Sequence, residues 1–160
     1  MKEQIKEIKS NFWIMVILGI IGTFISKVGG NEAALAGLLF YIPSIFFSYK
    51  IYKTFSTTSN NTLIIKYWWY GFWVQVAIII PILLAASGTT KAAGFIGAAL
   101  LFAIYFINIA LYNEVSKVTK NKLFFIGSTL LIAFGLGFLL IFIAFIKFDK
   151  IYTIEELENS

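Results

Sequence analysis

The chain contains no cysteine, no histidine and no arginine, and only two prolines in 160 residues. Without cysteine there is no disulfide, thiolate metal site or thiol nucleophile, and the redox compartment stays open. Without histidine the usual haem ligand and the commonest acid–base group are gone. Without arginine the fork that grips guanine edges and phosphates is missing. A formal charge of +5 carried by scattered lysines therefore does not point to nucleic acid. Charge is scarce altogether, at 13% of residues against 59% hydrophobic. No water-soluble fold covers itself with so few ionic groups, whereas lipid requires none.

What the sequence does have is five long apolar runs, at about 12–28, 33–49, 63–86, 92–112 and 123–148. A helix rises 1.5 Å per residue, so ~20 apolar residues cross a bilayer core about 30 Å thick. The expectation is an all-α, polytopic transmembrane helical bundle with five spans. It forms a single integral membrane domain over 1–160, with a short exposed tail at 149–160. No small-x-small cleavage site follows the first run, so that run is expected to remain as a permanent crossing.

The lysines orient this bundle. With the N-terminus in the cytoplasm and five crossings, nine of the thirteen lysines fall inside. Lys27, Lys91, Lys147 and Lys150 then fall outside, with the C-terminus. That is the positive-inside pattern of a multi-pass protein of the bacterial inner membrane. Trp13 and the Lys66, Tyr67, Trp68, Trp69, Tyr70 cluster mark the inner headgroup level, where indoles and phenols form belts and lysines snorkel.

Small residues then suggest packing faces. Ala33 with Gly37, Ala93 with Gly97, and Gly94 with Ala98 are spaced by four, which lets helix backbones approach in lipid. In the fifth run Gly137 and its small neighbours are expected to face the bundle. The stripe of Phe134, Phe138, Phe142 and Phe145 is expected to face lipid or another subunit. The stretch 37–42 echoes 99–104, as a duplicated hairpin would.

No catalytic, cofactor-binding or metal-ligating set emerges, so a non-catalytic protein without cofactor is expected. The carboxylates lie in tails and loops, with Glu114 nearest a helix centre. Five neutral polar residues remain inside the runs: Ser44, Gln75, Asn108, Ser128 and Thr129. Ser44, Asn108, Ser128 and Thr129 each lie roughly 9–11 Å in from the nearest inner charge. They form either a polar layer lining a pocket or pore, or hydrogen-bonded ties between helices. Gln75 is deeper, and an unpaired amide in lipid is costly. Two functions fit. One is an oligomerising or accessory, regulatory subunit that docks on itself or another membrane protein. The other is a channel or facilitator for a neutral or lipidic solute.

Overall fold

In hydrocarbon the backbone has no water to bond, so a chain this apolar must close its own hydrogen bonds, and a helix does so within one segment. The computed structural model describes residues 1–28, 30–132 and 135–159, with side chains at 28–38, 86 and 132–134 outside that description. Among the described residues the ordered elements are all helical. They are α1 (Lys2–Val28), α2 (Gly30–Ser59), α3 (Thr62–Ala77), α4 (Ile79–Ala86), α5 (Thr90–Thr119), α6 (Leu123–Thr129), a 3-10 turn (Leu130–Ile132), α7 (Leu136–Lys147) and α8 (Ile154–Glu158). Among the described residues three segments, Lys2–Lys27, Thr62–Ala85 and Thr90–Thr119, are long and apolar enough to cross a membrane. By that length and composition the chain is a membrane protein.

Each element packs on the next around a closed circuit: α1 on α2, α2 on α3, α3 and α4 on α5, α5 on α6, α6 on α7, and α7 back on α1. The core sits at one end of this circuit, here called the base. There Ile8, Phe55, Ile64, Val115, Phe124, Phe145 and Ile151 are almost fully buried. Toward the far end the helices turn Phe24, Leu39, Leu83, Phe95 and Leu101 outward, all more than 60% exposed. Lipid tails are as apolar as leucine, so only the base has a hydrophobic reason to close tightly.

Two proline sites behave differently. The α2 helix runs on through Pro43. The third run instead bends at Ile78, between α3 and α4. Pro81 has no N–H for the Ala77 carbonyl, and the Ile82 N–H reaches Ile78 O only at 3.5 Å.

The two turns at the base are copies of each other. Helices α2 and α5 are both 30 residues long and start sixty positions apart. Both end at a residue in the left-handed region, Asn60 (φ 56°) and Lys120 (φ 48°). In both, the next asparagine accepts the N–H two residues on, from Leu63 to Asn61 and from Leu123 to Asn121, at 3.1 Å each. The hairpin repeat therefore has a register of sixty, not the sixty-two that the 37–42 echo implies.

Glu114 is not a loop residue. It is buried in α5, where one carboxylate oxygen accepts from Asn61 Nδ2 (2.9 Å) and the other from Lys117 Nζ (2.6 Å). Asn61 is also the N-cap of α3, so one carboxylate ties the first base turn to α5. Glu114→Ala leaves the amide and the ammonium without their acceptor. It is expected to lower stability by about 2 kcal/mol, read as a fall in melting temperature in detergent.

The fifth run departs from expectation most. It is not one helix over 123–148 but two, α6 and α7, folded back on each other beyond the 3-10 turn. At 1.5 Å per residue α6 spans about 10 Å and α7 about 18 Å, and neither crosses a ~30 Å core. Gly135 supplies the left-handed residue (φ 82°) at the start of α7. Gly127 and Gly137 then allow the two backbones to touch. A Cβ on Gly137 would sit 2.6 Å from Leu131 N, and one on Gly127 would sit 2.9 Å from Gly137 O.

The returning chain is tied down at the base. Lys9 Nζ donates to Ile146 O (2.8 Å) and Asn121 Nδ2 to Ala144 O (3.4 Å), capping the last carbonyls of α7. The Tyr152 N–H then donates to Val118 O at 2.6 Å. Thr153 and Glu156 complete the capping box that opens α8. The tail is thus anchored rather than simply exposed: Phe148 and Ile151 belong to the core. Phe134 lies outside the described residues; among the described members of the phenylalanine stripe Phe138 faces outward, whereas Phe145 is 1% exposed and stacks on Phe12 at 4.3 Å.

Candidate functional site: a polar cavity between α2, α3 and α5

Three helices present stripes of polar or small residues at helical spacing. On α2 the stripe is Tyr41, Ser44, Ser48 and Tyr52; on α3 it is Tyr67, Gly71 and Gln75; on α5 it is Asn108 and Tyr112. All three face a cavity of about 230 Å³, completed by Met15 of α1 and by Trp68 and Phe72 of α3. A water needs ~10–15 Å³ on this measure, so the space holds several waters or one small solute. Gly71 lies on the cavity wall beside α5, where an added Cβ would come into ordinary contact with Ile107 at 3.6 Å.

The polar atoms inside are all uncharged. Toward the base, the Tyr52 hydroxyl donates to the Tyr112 hydroxyl at 2.8 Å and closes the floor. These two tyrosines occupy equivalent positions of the sixty-residue repeat, so the cavity lies where the two hairpins meet. One turn further in, Trp68 Nε1 donates to Ser48 Oγ at 2.9 Å. At the opposite side Tyr41 donates weakly to Gln75 Oε1 at 3.3 Å, at an exposed mouth. The side chains of Ser44 and Asn108 have no hydrogen-bond partner among the described residues. Their hydroxyl and amide are therefore available to a guest; the Asn108 amide offers both a donor and an acceptor, and the Gln75 NH₂ adds donors.

Three of the five polar residues singled out from sequence, Ser44, Gln75 and Asn108, thus meet at one cavity. Ser128 and Thr129 do not line it. Each bonds a carbonyl of its own helix, at Phe125 and Ile126 respectively, both at 2.8 Å. Thr129 O also accepts from Tyr105 (2.8 Å), which satisfies a carbonyl freed by the 3-10 turn. Their side chains bond within α6, and the Thr129 carbonyl ties α6 to α5. Tyr41, Ser48, Tyr52 and Tyr112 were missed because each alone is an unremarkable helix residue; their common stripe was the available signal.

The aromatic cluster divides. Trp13, Lys66, Trp69 and Tyr70 face outward, while Tyr67 and Trp68 are half-buried on the cavity wall. The small-residue faces divide too. Ala93 is buried and Gly97 lies near Pro81 of α4, with 3.8 Å left for an added Cβ. Gly94 and Ala98 instead point outward, with open space beside Gly94. The side chains of Ala33 and of the helix position Gly37 lie outside the described residues.

Among the described residues no three His, Cys, Asp or Glu gather as a metal site requires. No family model matches the chain, and no curated protein or solved structure matches it.

Proposed function

We propose that the protein is a non-catalytic, multi-pass membrane protein that binds a small neutral solute between its two hairpins and facilitates the passage of that solute. The supporting observation is the cavity wall itself. It carries hydroxyls and amides but no carboxylate or ammonium, and two of its polar side chains, Ser44 and Asn108, lack protein partners. A site of that kind discriminates by hydrogen bonds and not by charge. The Tyr52–Tyr112 contact then acts as the gate at the base.

In this reading α1, α2, α3 with α4, and α5 make four crossings, and α6–α7 enters and leaves the membrane on the same side. Both termini lie in the cytoplasm of a bacterial cell, beneath the inner membrane. Support comes from the lysines: eleven of the thirteen belong to the base or the chain ends tied to it, and only Lys27 and Lys91 belong to the far end. Four crossings sort the lysines more completely than five do.

Flux of small neutral amides and polyols into proteoliposomes tests the reading. Flux above empty liposomes is expected, falling about five- to tenfold with Asn108→Leu or Gln75→Leu as one solute hydrogen bond is lost. Tyr52→Phe is expected to raise it by loosening the floor. Absence of flux together with a co-purifying membrane protein would replace this reading with the accessory-subunit one. The outward pair Gly94 and Ala98 favours that second reading, since it offers a close-approach face to another helix or a second copy.

A further inference from the structure

On the outer side of the same helix pair, α2 and α3 leave a groove of about 680 Å³. Its walls include Ile42, Phe46, Tyr49, Trp69 and Phe72, and Ile45, Trp68 and Phe72 form the wall it shares with the polar cavity. From Ile42 to Tyr49 the groove follows α2 for about 10 Å toward the base. Aliphatic and aromatic walls of that length suit an acyl chain. Any lipid satisfies them equally, so they carry no headgroup preference.

The rim is different. Lys50 Nζ stands 4.7 Å from the centroid of the Phe46 ring, and Lys53 Nζ stands 5.6 Å from that of Tyr49. Both rings are groove walls, so both ammoniums stand at its basal end. Among the described residues neither has a carboxylate partner, and Glu114 is occupied by Lys117 and Asn61. Tyr49 and Trp69 line the same groove, and the hydroxyl of one and the indole N–H of the other also lack hydrogen-bond partners among the described residues. Two unpaired cations and two free donors above an apolar slot complement one phosphate with a chain below it.

We propose that this groove binds one anionic phospholipid from the leaflet facing the base, with an acyl chain along α2 and the phosphate between Lys50 and Lys53. The site is separate from the solute cavity, and either assignment stands if the other fails. Each lysine near an anionic headgroup contributes about fivefold in affinity, so the pair gives a preference of about 25-fold over a zwitterionic lipid.

The test uses the full-length protein with Trp13→Phe and Trp73→Phe, which leaves Trp68 and Trp69 as the indoles beside the groove. It is reconstituted with lipids brominated on the acyl chain, and quenching is compared for phosphatidylglycerol and phosphatidylcholine. Quenching is expected at a phosphatidylglycerol fraction at least tenfold lower than for phosphatidylcholine. Lys50→Gln with Lys53→Gln should bring the two lipids within twofold. Lys2→Gln with Lys6→Gln, which removes equal charge elsewhere on the base, should leave the preference intact. Ile42→Phe, which narrows the slot with the lysines in place and adds no indole, should weaken the response to both lipids. Equal quenching by the two lipids in the parent protein overturns the proposal. So does an equal loss of preference in both lysine pairs, which would assign the effect to general surface charge.

Discussion

A Gly137→Val protein is expected to lose its folded α6–α7 hairpin, with a stability cost above about 3 kcal/mol, the upper end of ordinary overpacking. The added carbons would be driven into backbone, at Gly127 O, Leu131 N and Leu130 C. Backbone cannot swing aside as a flexible side chain can. The melting temperature in detergent should fall steeply, and Gly127→Val should behave alike, since its Cβ would meet backbone at Gly137 O (2.9 Å) and Ile141 N (3.0 Å). Gly19→Ala and Gly94→Ala are the controls. Neither Cβ meets anything within 4 Å, so both should be neutral or slightly stabilising, because alanine loses less conformational freedom in a helix. Equal melting of the Gly137 and Gly94 variants would remove the hairpin from the fold.

Cysteine introduced at Asn159 is expected to react with a membrane-impermeant reagent from the same side as cysteine at Asn60, and from the opposite side to cysteine at Thr89. All three positions are exposed, and the chain has no native thiol to interfere. The effect is all or none, because a crossing either exists or does not. With a single span over 123–148, Asn159 would side with Thr89. With the chain returning through Lys9–Ile146 and Val118–Tyr152 contacts, it sides with Asn60. Labelling of Asn159→Cys together with Thr89→Cys would overturn the fold-back and restore five crossings.

These two outcomes bear on the segment where hydropathy and tertiary structure part company. A window sum over 123–148 reports only that the side chains prefer lipid. It is the same whether the segment continues or reverses. Gly135 and Gly137 were visible in the sequence, but a glycine in an apolar helix is as often a packing surface as a break. What separates the two cases is the partner, Gly127 and the Leu130–Leu131 backbone, and that partner is supplied by folding.

The cavity was nearer the surface of the sequence. Ser44, Gln75 and Asn108 stand out because neutral polar groups are rare in apolar runs, and the structure brings those three to one cavity. Ser128 and Thr129 looked equivalent by depth. They differ because a hydroxyl on a helix can give its one proton to the carbonyl three residues back and so has none to donate to a neighbour, as both do here. The sixty-residue repeat was also present as residue spacing, in Ser59-Asn60-Asn61-Thr62-Leu63 against Thr119-Lys120-Asn121-Lys122-Leu123. Its identity is clear only once both asparagines are seen bonding the same backbone position.

By itself, then, the sequence determined the solvent of this protein, its helical class and the residues that cannot do ionic chemistry. Those follow from composition and from the local rule that buried backbone must bond within its own segment. Tertiary structure alone decided where the fifth run turns and which stripes share a cavity. Both depend on contacts between residues far apart in the chain, and no local sum of hydropathy or propensity contains those terms.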